Sequence, residues 1–149
     1  MIVASLDTNV LVYAAARGGD DRKHVAAAKL VRDLAESGRG LLPLQVLSEF
    51  YAVAVRKGTV APAAAEAFVV LLGEMFPVQE ALLADVQDAI RVHREHGISF
   101  WDGMLWSVTR RAGARILLSE DFQDGRDLEG VRFVDPFAER NAGILTDLI

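Results

Sequence analysis

Five short runs of strand length punctuate the chain, at Ile2–Leu6, Leu41–Leu44, Pro77–Gln79, Arg115–Leu118 and Val131–Val134, and most intervals between them have room for one or more helices. That alternation constrains the fold more than any other feature. Antiparallel strands can be joined by a tight turn, whereas parallel strands need a crossover of a dozen or more residues, usually a helix. The pattern predicts an α/β fold, with a central, mainly parallel sheet flanked by helices on both faces.

The helices carry their own punctuation. Asp7-Thr8-Asn9 can cap a helix over Val10–Ala16. Asp20 and Asp21 cap a longer one to Ser37, with Ala27, Leu30, Val31 and Leu34 on one face and Gly38 placed to end it. Further helices are expected over Val46–Arg56, from Pro62 to before Pro77, over Leu82–His96, and over Ser99–Ala112. The tail from Ala138 to Ile149 reads as a thin helix. At 149 residues the chain has room for one domain, and no repeat or linker divides it.

With no cysteine, disulfides, thiolate zinc sites, iron–sulfur clusters and cysteine nucleophiles are excluded. The densest apolar stretch, Phe68–Leu72, falls far short of the roughly 18 residues a membrane span needs. The first residues lack a basic n-region, so a cytoplasmic protein with no membrane association is expected. Sixteen Lys and Arg against 21 Asp and Glu leave a net charge of −5. That is the wrong sign for gripping a polyanion by charge neutralisation. Bound divalent cations would offset it.

Ligand sites in open parallel sheets lie beyond the carboxyl ends of the strands. Asp7 follows the first strand directly, and Asp121 follows Arg115–Leu118 after Ser119-Glu120. Glu49 and Asp102 fall in the first turns of helices expected to begin near Val46 and Ser99, and such turns point to the same edge. Glu49 also lies at the rim of its helix's apolar arc, where a carboxylate is partly desolvated. Four converging carboxylates repel one another and raise their own pKa values, a strain relieved when a cation occupies the site. Oxygen-only ligands suit Mg²⁺ or Mn²⁺. Two such ions can activate water and stabilise the leaving oxygen of an in-line displacement at phosphorus, which is phosphodiester hydrolysis.

Each acid also has a simpler reading. Asp7 can be an N-cap, Asp102 with Ser99 matches a capping box, Glu49 suits a helix dipole, and Asp121 can be an ordinary loop residue. His93 and His96 sit in a last helical turn, where they complement the dipole. Trp101 and Trp106 read as core or interface aromatics. Arg17, Arg22, Lys23, Arg110, Arg111 and Arg126 could line a phosphate-binding rim or be scattered surface charge. A P-loop and a Gly-x-Ser-x-Gly elbow are both missing.

In order along the chain, Leu6-Asp7-Thr8-Asn9, Leu47-Ser48-Glu49-Phe50, Trp101-Asp102-Gly103, Leu118-Ser119-Glu120-Asp121-Phe122 and Val134-Asp135-Pro136-Phe137 resemble the PIN-domain family. Within it they look like the toxin ribonucleases of VapBC-type toxin–antitoxin pairs. The resemblance covers residues 2–137, which it implies to be a PIN-like nuclease domain, and leaves 138–149 as a tail outside the pattern. It implies that Asp7, Glu49, Asp102 and Asp121 are the catalytic, metal-binding residues, with Thr8, Asn9 and Ser119 as polar supports. It also implies a five-stranded sheet in the order 3-2-1-4-5, Mg²⁺ or Mn²⁺ as cofactor, an RNA substrate, an antitoxin partner and a homodimer. Asp124 is a further acidic candidate near the metals, or else begins a turn with Gly125. The alternatives are a PIN nuclease of RNA processing without an antitoxin, and a catalytically inactive acidic-pocket interaction module.

Overall fold

The computed structural model describes residue 1 and residues 3–149; the first residue expected in a strand, Ile2, lies outside the described residues. In chain order the elements are β1 (Ala4–Leu6), α1 (Thr8–Ala15), α2 (Asp21–Ser37), β2 (Gly40–Pro43), α3 (Leu44–Arg56), α4 (Pro62–Met75) and β3 (Val78–Gln79). There follow α5 (Leu83–His96), α6 (Phe100–Arg111), β4 (Ile116–Leu118), β5 (Asp127–Leu128), β6 (Val131–Val134), a 3₁₀ turn at Glu139–Asn141 and α7 (Ala142–Asp147).

The sheet has six strands in the order β3-β2-β1-β4-β6-β5. Five of them run parallel in the expected order, and the sixth, β5, pairs antiparallel with β6. This short edge strand is the one addition to the expected sheet. It forms because Glu129 and Gly130 both take positive φ, 50° and 87°, the twist that a tight hairpin needs. Only two residues long, it carries no alternation to reveal it in the sequence. β1 and β2 are buried along their whole length, as strands covered on both faces should be. Ser5 is the polar exception in β1, and its hydroxyl pairs with that of Thr109 on α6 at 2.9 Å.

Two helix starts differ from expectation and matter for the site. α1 begins at Thr8 because the Asp7 carboxylate accepts the Thr8 N–H at 2.6 Å. α3 begins at Leu44, immediately after β2, with Pro43 in the capping position, so Glu49 lies in its second turn instead of its first. Elsewhere Asp20 caps α2, and Gly38 and Gly97 end α2 and α5 with φ of 66° and 68°.

α1 packs on α2 and α3, while α5 packs on α6, which lies against β2, β4 and β6. Trp106 is fully buried and donates its indole N–H to the Leu128 carbonyl at 3.0 Å. Gly103 is what lets α6 approach α5. A Cβ there would stand 3.1 Å from both Cα and O of Ala89 and 3.2 Å from Val92 Cγ2. The neighbouring backbone cannot yield as a flexible side chain would. Gly103→Val is expected to destabilise the fold by about 1–3 kcal/mol through overpacking, measurable as a lower urea midpoint at unchanged slope.

Candidate metal centre

β1 and β4 are adjacent and in register, Leu6 opposite Leu118, so the residues that follow them meet at the carboxyl edge of the sheet. The Asp7 N–H donates to the Leu118 carbonyl at 3.0 Å, and the Ser119 hydroxyl donates to Asp7 Oδ2 at 2.6 Å. The same hydroxyl accepts the Asp121 N–H at 3.1 Å. Ser119 therefore ties the two loops together. Asn9, the second residue of α1, extends the bridge: its NH₂ lies 3.3 Å from Asp7 Oδ2, 3.1 Å from Asp121 Oδ2 and 3.0 Å from Ser119 Oγ.

Glu49 comes from α3. Its Oε2 accepts the Thr8 hydroxyl at 2.9 Å and its Oε1 accepts Gln45 Nε2 at 2.9 Å. Gln45 also donates to the Trp101 carbonyl, connecting α3 to the first turn of α6. Asp102 sits in that turn. Its N–H donates to Ser99 Oγ at 3.2 Å, but among the described residues no bond from the Ser99 N–H to the Asp102 carboxylate closes a capping box. The cap therefore uses Asp102's backbone and leaves its carboxylate to the cleft.

Asp7, Glu49, Asp102 and Asp121 line one cleft of about 510 Å³. The structure brings these four together from four separate segments. It does not bring Asp124 with them. Asp124 Oδ1 accepts the Asp135 N–H and Asn141 Nδ2, and Oδ2 accepts Arg140, so this carboxylate fastens the end of β6 and the tail to its loop. Asp124 leaves the candidate set for that reason.

The cleft also contains residues that the sequence reading passed over: Glu120, Tyr13, Asp20, Lys57 and Thr59. Glu120 had a visible signal, its place at the end of β4 beside Asp121. Lys23 and Tyr13 hold it, by an ion pair at 2.6 Å and a hydrogen bond at 2.8 Å. Of the cations considered for a rim, Arg111 is paired with buried Asp85 and Arg110 faces Asp88 and Glu129. Trp101, unlike Trp106, is exposed.

The electrostatics bear on whether these residues suit a cation. Burial pushes the Asp7 carboxyl up to about 6, with the charges of Asp102 and Asp121 adding to the rise and hydrogen bonds from Ser119 and Thr8 opposing it. Burial and the charges of Asp121 and Glu49 likewise raise Asp102. Among the described residues no three acidic or imidazole side chains already form a ligand cage. Neutral donors hold the acids instead, and among the described residues no donor reaches the buried Asn9 Oδ1 while its NH₂ serves the carboxylates. A buried carbonyl without a donor is costly, and beside these acids it is a further oxygen that a cation would satisfy. All-oxygen, anionic and self-repelling, the set fits a hard divalent ion.

The sequence model of the PIN domain matches residues 4–124. The chain belongs to the PIN-domain family. Among curated proteins no sequence matches it. Solved structures share the PIN fold at low identity. A chain of the DNA-bound VapBC complex from Salmonella typhimurium has a TM-score of 0.67 at 15% identity, covering 91% of this chain and 99% of that one. The Rickettsia felis VapBC2 complex, bound to a DNA fragment of its promoter, gives 0.65 at 13%, covering 89% and 97%. The VapC20 toxin of Mycobacterium tuberculosis, which cleaves the sarcin–ricin loop, gives 0.60 at 21%, covering 76% and 86%.

The raised pKa of Asp7 has a definite sign. A carboxyl whose folded value, about 6, exceeds its ordinary 3.8 favours the fold when protonated, so its contribution is present below about pH 4 and is lost as pH rises through 6. Without metal, wild type should lose about 2 kcal/mol relative to Asp7→Asn between about pH 4 and pH 7. Denaturation of both proteins across that range, in chelator, measures the difference directly.

Proposed function

We propose that this PIN domain is a metal-dependent endoribonuclease and the toxin component of a toxin–antitoxin pair. The observation that carries the reading is the convergence of Asp7, Glu49, Asp102 and Asp121, from two strand ends and two helices, in one cleft. Membership of the PIN family and the likeness to VapC and VapBC structures support it. Those four carboxylates would hold Mg²⁺ or Mn²⁺, and such ions supply activated water and charge stabilisation for in-line displacement at phosphorus.

The chain's own residues do the positioning. Ser119 and Asn9 fix Asp7 against Asp121, so the acids of both loops are placed before any ion arrives. Thr8 and Gln45 each donate to one oxygen of Glu49, which fixes the carboxylate while leaving each oxygen capacity for a further contact. Glu120, restrained by Lys23 and Tyr13, adds negative charge at the wall without joining the central four.

Outside the cleft, Leu44, Tyr51 and Val70 are exposed around a groove lined also by Leu47 and Val69. Exposed apolar surface of this kind supports a protein partner, here the cognate antitoxin, and a homodimer is part of the same proposal. Among the described residues no helix is long and apolar enough to cross a membrane.

Purified protein is expected to cut single-stranded RNA in Mg²⁺ or Mn²⁺ and to stop in excess EDTA; cleavage that persists in EDTA refutes metal dependence. Expression alone should arrest growth of a host cell, co-expression of the antitoxin should relieve it, and Asp7→Asn should be harmless.

Asp102→Asn gives a sharper result, because asparagine keeps the backbone N–H that Ser99 accepts. Its metal-free stability should be unchanged or higher than wild type. Saturating Mg²⁺ at 100 times the dissociation constant adds about 2.7 kcal/mol to a native state that alone binds it. The variant should gain less, as read from melting temperatures, and lose most of its cleavage rate. A destabilised variant with near-normal activity would remove Asp102 from the site.

A further inference from the structure

The cleft is longer than its acidic end. Along α3, Glu49, Val53 and Lys57 all line it, spaced i, i+4 and i+8, and along α1 the lining runs from Thr8 and Asn9 through Val12 and Tyr13 to Ala16. α1 and α3 pack side by side, so these two faces form the walls of a groove that leads away from the carboxylates. With a rise of 1.5 Å per residue, Lys57 stands about 12 Å along the helix from Glu49. Between them the surface is apolar: Val12, Ala16 and Val53.

Among the described residues lining the cleft, Lys57 is the one cation. It is exposed, and among the described residues no carboxylate lies within ion-pair distance of it. Lys23, close by, is neutralised by Glu120. Asp20, which also lines the cleft, accepts the Lys23 N–H on Oδ1 as the cap of α2. The groove thus combines a group of four acids, the apolar side chains of Val12, Ala16 and Val53, and a positive charge with no ion-pair partner among the described residues.

We propose that Lys57 is a phosphate-binding residue for single-stranded RNA, anchoring a backbone phosphate at the far end of this groove while the acidic end meets the scissile one. The inference rests on the ribonuclease reading and specifies how a net-acidic chain holds its substrate. A single strand fits because its unpaired bases and sugars can lie on Val12 and Val53, which a duplex would keep from contact. Lys57 acts in binding and not in the chemistry, since it stands two helical turns from the nearest proposed metal ligand.

The alternative is a solvated lysine that merely complements the α3 dipole. The two differ in salt dependence. One phosphate contact on a single strand contributes about 0.7 to the slope of log affinity against log salt. Binding of a fluorescent, mixed-sequence single-stranded RNA with hydrolysis-resistant phosphorothioate linkages is measured by anisotropy over a KCl series at fixed Mg²⁺, beside steady-state cleavage of the unmodified RNA in the same Mg²⁺.

Lys57→Ala is expected to weaken binding and raise KM several-fold, to reduce the salt slope by about 0.7, and to leave kcat and the Mg²⁺-induced melting shift within error of wild type. Lys57→Arg should restore both binding and slope, and Lys57→Glu should be worse than alanine. An alanine variant with wild-type affinity and slope overturns the proposal, as does one that loses kcat alone. Wild type that binds the RNA through Lys57 but never cuts it refutes the ribonuclease reading and spares the anchor. Wild type that neither binds nor cuts refutes both. A change in oligomeric state with unchanged RNA affinity would assign Lys57 to a protein interface and overturn the anchor.

Discussion

Everything at the acidic edge of the sheet depends on the pairing of β1 with β4. These strands are distant in sequence, yet Leu6 lies opposite Leu118, and the next residue of each, Asp7 and Ser119, meet in a 2.6 Å hydrogen bond. A slip of one residue would exchange the two packed faces of the strand and take Ser5 away from Thr109, so the core enforces the register. β1 is also where the sheet changes direction of assembly, with β2 and β3 on one side and β4 and β6 on the other. Such a switch point leaves a crevice between the loops on either side. The hydrophobic packing of two three-residue strands therefore determines where two carboxylates stand.

Two buried aspartates show what this arrangement is for. Asp85 is 1% exposed and Asp7 7% exposed, so desolvation works against the charge of both. Yet Asp85 is held below the ordinary carboxylate range: burial raises it, but Arg111, the Leu82 N–H and the Ser107 hydroxyl together outweigh burial. Asp7 is pushed up, because its donors are neutral and its charged neighbours are other acids. The difference is a cationic partner. Asp85 has one built into the chain and fastens α5 to α6, whereas among the described residues Asp7 has none.

The site was legible where it depended on local rules. Asp7 follows its strand directly and Asp121 comes three residues after its own, and Asp20, Gly38 and Gly97 mark helix ends by chemistry that the sequence displays openly. It was illegible where distant residues decide. Asp124 is three residues from Asp121 in the same loop, and the Asp135 N–H together with Arg140 and Asn141 of the tail draws it elsewhere. Arg111 resembles any surface arginine until Asp85 is found beside it. Glu49 appeared one turn too early because a proline seemed to separate β2 from α3, when in fact it joins them. Lys57 has a readable signal, its i+8 spacing from Glu49, but that spacing means nothing until α1 is known to form the opposite wall.

The tail after Phe137 lies outside residues 4–124, which the PIN-domain model matches. Through Arg140 and Asn141 it grips Asp124, which also accepts the Asp135 N–H, while Ser119 accepts the Asp121 N–H at the other end of the same loop. The segment bearing Asp121 is thus moored at both ends, by Ser119 at the end of β4 and by the tail. Its stiffness is set partly outside the cleft, so a change in the tail alters how firmly Asp121 is held without touching a residue that lines the cleft.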